Sequence, residues 1–187
     1  GDRAEGAVDG VRIVAGQYRG RVLASVGKGD PGAHLRPTPD RVRESLFSML
    51  THLGVVDGAR VLDLFAGTGA LGLEALSRGA AEACFVENGR VGASLISKNI
   101  SLLGCAGEAR LLRKDATRLG ECEGAPFDLV FLDPPYGKGL GAVALSGAAA
   151  GGWLAPDALI AWEESAAQDA PEGFELHEVR RYGDTGL

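Results

Sequence analysis

The stretch from Arg60 to Ala80 reads RVLDLFAGTGALGLEALSRGA. Residues 60–65 are mostly apolar and suit a strand, while 69–78 repeat leucine and alanine at helical spacing. Between them stands a Gly-x-Gly-x-x-Gly sequence (Gly67, Gly69, Gly72), directly after the strand and opening the helix. Glycines there let backbone approach a ligand closely, and the helix N-terminus offers it unpaired N–H groups.

Downstream the same alternation continues. Strands are predicted at 82–87, 109–114, 127–132, 158–163 and 174–182, with helices near 90–103 and 138–150. Strand–helix alternation with short loops specifies parallel βαβ units, hence an α/β, doubly wound, Rossmann-like sheet. Ligands of such sheets bind beyond the carboxyl ends of the strands. That edge collects Asp63 to Gly69, Glu87, Asp115 and Asp133 to Tyr136. Upstream, residues 11–26 alternate around Gly16 and Gly20 and read as a β-hairpin. Thr38-Pro39-Asp40 then begins an amphipathic helix over 39–53. The predicted division is a hairpin-and-helix arm at 1–57 and a sheet domain at 58–187.

At 187 residues, 45% hydrophobic and 24% charged, the chain suits one folded domain with a small appendage. It has no apolar run near the ~20 residues of a membrane span and no leader, and it starts at Gly1. A trimmed or tagged, cytoplasmic, monomeric protein is expected. Cys84, Cys105 and Cys122 have no Cys-x-x-Cys spacing and read as reduced thiols, and the scattered His34, His52 and His177 give no metal pattern. The net charge of −6 argues against nucleic acid, but its distribution does not. From Val11 to Arg43, Arg12, Arg19, Arg21, Lys28, Arg36, Arg41 and Arg43 face only Asp30 and Asp40, a local balance of +5. A basic arm on an acidic body suits a polyanion such as RNA.

Glu87 closes the second strand, where a carboxylate accepts ribose hydroxyls, and a nicotinamide dinucleotide fits that spacing as well. Asp63 favours another ligand. A carboxylate at the strand end repels a diphosphate and suits a cation with an α-ammonium group, such as S-adenosylmethionine. The alternative is that Asp63 only ties down the glycine loop by hydrogen bonds. The second feature is Asp133-Pro134-Pro135-Tyr136 after the apolar run Leu129 to Leu132. The Asp133 carboxylate and the Pro134 carbonyl can accept both N–H bonds of a nucleobase amine, exposing its lone pair, while Tyr136 offers a ring to stack on. Asp115 ends the third strand, a place for an adenine amine. Lys98 and Asn99 read as structural or solvent-facing.

These segments resemble class I S-adenosylmethionine-dependent methyltransferases. More narrowly, RIVAGQYRGRVL, LRPTPDRVRESLFSML, GGWL and RRYGDT are similar to the RsmD family, which methylates guanine N2 in small-subunit ribosomal RNA. The resemblance runs from Val11 to Thr185. It implies cofactor contacts at Asp63, Phe65, Ala66, Gly67, Thr68, Gly69, Glu87, Asp115 and Thr38, and catalysis at Asp133, Pro134, Pro135 and Tyr136. It also implies a role near cofactor and RNA for Arg36, Pro37, Asp40 and Arg43. Two departures stand out. Gly89 occupies a position commonly Asp in the family, and the chain ends at Leu187, before the family's last antiparallel strand. C-terminal residues are therefore expected to be missing from the chain. The rivals are a DNA adenine-N6 or cytosine-N4 methyltransferase, a nicotinamide-dependent oxidoreductase that leaves Asp63 and Asp133 unexplained, and a non-catalytic RNA-binding protein.

Overall fold

The computed structural model describes residues 11–26, 38–135, 137–164 and 168–181. Strands β1 (Val11–Arg12) and β2 (Val22–Leu23) pair antiparallel as the predicted hairpin, with Val11 opposite Leu23. Helix α1 (Asp40–His52) follows. The remainder is β3 (Arg60–Leu64), α2 (Ala70–Ser77), β4 (Glu82–Val86), α3 (Arg90–Leu103), β5 (Ala109–Leu112), β6 (Phe127–Leu132), α4 (Leu140–Ala150) and β7 (Leu154–Trp162). The five later strands form one parallel sheet in the order β5-β4-β3-β6-β7. The order reverses between β3 and β6, and that reversal opens the crevice beyond the strand ends.

Strand alternation sorts the core into two layers. Val61, Phe85, Leu129 and Phe131 share one cluster with Phe47 and Leu50 of α1, Leu73 of α2 and Ile96 of α3. Leu62, Leu64, Val86, Val130 and Leu132 share the other with Ala144, Leu145 and Ala148 of α4. Val11, Ile13 and Leu23 of the hairpin lie in the first cluster, so hairpin, α1 and sheet have a common core.

Two segments depart from the sequence reading. Strand β7 begins at Leu154 rather than 158, because an irregularity between Leu154 and Leu159, with Asp157 at φ 63°, interrupts its pairing with β6 without ending it. Residues 174–181 form no strand. They carry the alternating pattern, but an extended segment gains its hydrogen bonds only from a neighbour, and among the described residues none pairs with it. Leu176 and Val179 are accordingly exposed. Residues 182–187, with the predicted final turn, lie outside the described residues.

The hairpin and α1 are held by one buried carboxylate. Glu74, in the middle of α2, is fully buried and accepts hydrogen bonds from Val14 N (2.9 Å), Ala15 N (3.1 Å), Arg43 Nη1 (2.9 Å) and Arg78 Nε (2.8 Å). Arg43 Nη1 also reaches Arg12 O at 2.7 Å, and Nη2 pairs with Asp40. The hairpin turn then seats on the end of α2, with Gln17 N on Ser77 O (2.8 Å) and Tyr18 N on Ser77 Oγ (2.9 Å). Gly16 (φ 90°) is required there, since a Cβ would lie 2.0 Å from Ser77 O. Breaking a buried ion pair by removing one partner costs about 3–5 kcal/mol. Glu74→Ala is expected to lose about that much stability in urea unfolding, against about 0–1 kcal/mol for Glu82→Ala, which opens a half-exposed pair with Arg60. Equal, small losses in both variants would remove Glu74 from this role.

Candidate active site

The crevice is built first from the glycine loop. Strand β3 ends at Leu64, and the chain reverses at Phe65 (φ 57°), a conformation bulky residues rarely adopt. Gly67 (φ 61°) and Gly69 (φ 83°) continue the turn into α2, closed by Ala66 N on Val86 O (3.0 Å) and Gly69 N on Ala66 O (2.8 Å). Phe65, Ala66 and Gly67 are half-buried, and Thr68 and Gly69 are buried. Asp63 is buried and accepts Gly72 N at Oδ2 (3.0 Å), tying strand to helix. This is the loop-holding bond that the sequence offered as the alternative reading. Glu87, just past β4, accepts Gly67 N at Oε1 (2.8 Å) and Gly89 N at Oε2 (3.0 Å). Each of its oxygens keeps a further acceptor site for a ligand hydroxyl. Helix α3 abuts the loop at Gly92, where a Cβ would lie 2.8 Å from Gly67 O.

The other wall is acidic. Asp133 follows β6, with Pro134 buried and Pro135 exposed, and its carboxylate makes no hydrogen bond among the described residues. Burial, then the charges of Glu163 and Glu164, push its pKa up to about 8. Glu163 follows β7 and is itself raised by burial, opposed by a hydrogen bond from Thr38 Oγ1 to its Oε1 (3.1 Å). Asp63 is raised well above the carboxylate range by burial, with Asp133 and Glu87 adding repulsion, and only the Gly72 N–H acts the other way. Asp115 stands apart. Its Oδ1 accepts Thr117 Oγ1 (2.7 Å) and Thr117 N (2.9 Å), which hold its pKa below the usual value.

Sequence reasoning placed Asp63, Glu87 and Asp133 correctly on one edge but passed over Glu163 and Glu164. The signal was present, since Glu163 ends the fifth parallel strand as Asp133 ends the fourth. It also passed over Glu74, an acid alone in an apolar helix. Tyr136, Arg36 and Pro37 lie outside the described residues. Of the arm's arginines, Arg12, Arg19, Arg21 and Arg41 are exposed. Arg12 donates to Gly20 O, and Arg21 to Leu102 O. Arg43 corrects the sequence reading. It is fully buried on Glu74 and Asp40, so its guanidinium is not available to RNA phosphates. Asn99 is buried too, with Oδ1 accepting Ala24 N (2.6 Å) and Nδ2 donating to Thr68 O (3.2 Å).

The donor set tests the ligand. Glu87, Asp133 and Glu163 are half-buried at the strand ends, Asp63 is buried close to Glu87 and Asp133, and no cationic side chain acts on Asp63 among the described residues. Such a set repels a diphosphate and fits a cationic ligand with hydroxyl and amino groups. The described residues hold no metal-binding cluster of His, Cys, Asp or Glu, and no helix long and apolar enough to cross a membrane. The three cysteines are free.

A parallel sheet with this glycine loop and strand-end acids is the α/β methyltransferase fold. The chain matches the family described as Conserved hypothetical protein 95 over residues 11–187, and it belongs to that family. It is 43% identical over 92% of its length to the ribosomal RNA small subunit methyltransferase D of Escherichia coli, covering 85% of that protein. The protein of the same description from Haemophilus influenzae is 42% identical over 80% of this chain and 76% of its own length. Among solved structures, an Escherichia coli protein described as a methyltransferase superposes with a TM-score of 0.80 at 41% identity, covering 93% of each chain. A Haemophilus influenzae protein described as a methylase gives 0.74 at 36%, again over 93% of each chain.

Because Asp133 titrates near 8 in the folded protein and at an ordinary 3.8 otherwise, the folded state holds more protons between those values. Its contribution to stability therefore falls as pH rises through that window. Asp133→Asn should melt with the parent near pH 4 and above it at pH 8. A variant that tracks the parent across the range would show that the Asp133 carboxyl is not raised in the folded protein.

Proposed function

We propose that this protein transfers a methyl group from S-adenosylmethionine to the exocyclic N2 of a guanine in small-subunit ribosomal RNA. The observation that carries the reading is the unpartnered Asp133 carboxylate beside the glycine loop, in a crevice lined by acids. The names of the Escherichia coli and Haemophilus influenzae relatives support the substrate class.

S-adenosylmethionine supplies an electrophilic methyl on a cationic sulfonium, so the transfer is a direct displacement. The backbone of Phe65 to Gly69 would lie against the cofactor, Glu87 would take its ribose hydroxyls, and Asp63 and the neighbouring acids would favour its positive charge. Asp115 and Thr38 complete the cofactor contacts in this reading. Asp133 and the Pro134 carbonyl accept the amine's N–H bonds and hold its nitrogen in line with the methyl carbon. The amine becomes acidic as it gains positive charge, and a carboxylate with a raised pKa is suited to take that proton. Tyr136 has the role of stacking partner. Arg12, Arg19, Arg21, Arg36 and Arg41 hold the phosphate backbone, so the segment 1–57 serves RNA while the sheet from 58 onward serves cofactor and transfer. The substrate sets the reaction in the cytoplasm, with the protein acting as a monomer.

Labelled methyl transfer into small-subunit RNA, followed by mapping of the modified base, tests the reading. Asp133→Ala is expected to lose roughly 100-fold or more in rate while calorimetry still detects cofactor binding. Near-normal turnover sinks the mechanism. Arg19→Ala with Arg21→Ala should weaken RNA binding and reduce the salt slope by about two, with an unchanged melting temperature. An unchanged slope would remove the hairpin from the RNA interface.

A further inference from the structure

The Asp-Pro-Pro sequence presents acceptors to any exocyclic amine, so it does not by itself separate guanine from adenine or cytosine. The three bases differ beside the amine. Guanine carries a second donor, N1–H, next to N2, whereas adenine N1 and cytosine N3 are unprotonated acceptors next to theirs. A site that selects guanine therefore needs a further acceptor adjacent to the one that holds the amine, and an acceptor unable to donate rejects the other two.

Glu163 stands where that acceptor is needed. Strands β6 and β7 run parallel with Leu132 opposite Trp162, and Glu163 N donates to Leu132 O at 2.9 Å, extending the ladder one step beyond the strands. Asp133 and Glu163 are thus the next cross-strand neighbours. By alternation they belong with Phe131 and Ala161, on the side of the sheet that faces α1. Thr38, two residues before α1, confirms that side by donating to Glu163 Oε1 at 3.1 Å. This bond anchors one oxygen and leaves Oε2 without a partner among the described residues. Asp133 keeps both of its own. After burial, the charge of Glu163 is what most raises the Asp133 carboxyl, a further mark of their closeness.

We propose that Glu163 accepts the N1–H of the target guanine and is the residue through which the site takes guanine rather than adenine or cytosine. The three donors of that edge then find three acceptors: Asp133 and the Pro134 carbonyl on N2, and Glu163 Oε2 on N1. Adenine or cytosine would set a ring-nitrogen lone pair against the ionised Glu163 carboxylate, the form that an N1–H donor favours. Thr38 is a positioning residue here, since it acts through Glu163. The inference rests on the proposed methyl transfer to guanine.

The test uses small-subunit RNA prepared by ligation with either guanine or 2-aminopurine at the mapped position. The analogue keeps the C2 amine but has an unprotonated N1 and no O6. The parent protein is expected to prefer guanine by roughly 100-fold or more in kcat/KM. Glu163→Gln, whose amide can either accept or donate, should bring that ratio to within about tenfold, largely by gaining rate on 2-aminopurine. Calorimetric binding of S-adenosylmethionine checks that the variant is folded. Where turnover is too slow to compare, the ratio of the two RNA affinities reads the same discrimination. A Glu163→Gln variant that lowers both substrates equally, leaving the ratio unchanged, overturns the proposal, because a merely structural glutamate would behave so. A parent that accepts both RNAs alike overturns it too. A parent that methylates neither fails earlier, at the reading on which the proposal stands.

Discussion

The buried carboxylate of Glu74 is the constraint on which the arrangement of this molecule turns. An ionised acid without water is tolerated only when its acceptor sites are filled, and here they are filled from three directions. Val14 and Ala15 bring the hairpin, Arg43 brings α1, and Arg78 comes from the end of its own helix. Arg78 lies over the ring of Phe47 at 5.0 Å, so the polar knot is packed directly against the apolar core of α1. The consequence reaches the crevice. With the start of α1 fixed by Arg43 and Asp40, Thr38 is held beside Glu163 at the end of β7, on the far side of the sheet centre from β4.

The crevice uses acid in the opposite way. Glu74 is balanced by cations, whereas Asp63, Asp133 and Glu163 gather at the strand ends with their titration raised first by burial and, at Asp63 and Asp133, further by neighbouring acids. Ionising them in that setting opposes folding at neutral pH, and a positively charged ligand of the proposed reaction would offset that cost. A sulfonium with an ammonium group meets this need and a dinucleotide diphosphate does not. The same contrast accounts for the charge of the chain. The net −6 combines a balance of +5 over Val11 to Arg43 with −11 over the rest of the chain, so the acid belongs mainly to the body and the exposed cations to the hairpin and α1.

Much of the fold was legible because its signals are local. Strand ends marked by Asp63, Glu87 and Asp133, and helices opened by glycine, lie within a few residues of the features that identify them. What could not be read depends on partners remote in sequence. Arg43 looks like any other arginine in a basic stretch until α2 supplies Glu74, 31 residues away, and turns it inward. Residues 174–181 alternate as a strand does, but strand formation is decided by a neighbour that no local pattern specifies. Glu163 was visible as a strand-end acid, yet its closeness to Asp133 follows only from the β6–β7 register. In Asp63 the sequence offered a ligand contact and a loop tie as alternatives. The bond to Gly72 establishes the tie, and the raised carboxyl beside Asp133 and Glu87 keeps the ligand in view.

The two ends of the proposed reaction, RNA on the hairpin and cofactor on the glycine loop, are also joined through Asn99. Its amide exchanges two hydrogen bonds with the backbone of Ala24, where the hairpin ends, and a third with Thr68 O inside the loop. A buried amide gains only when its donors and acceptor are matched, so a shift of either backbone segment leaves a polar group unsatisfied, at a cost of about 1–3 kcal/mol. Ser77 and Glu74 fasten the other end of the same hairpin to α2, the helix that this loop opens. The hairpin is therefore a fixed extension of the methyltransferase core and not a hinged arm. RNA held by it would be presented to Asp133 at a distance set by the core itself. This suits a reaction in which nitrogen, methyl carbon and sulfur must be brought into line.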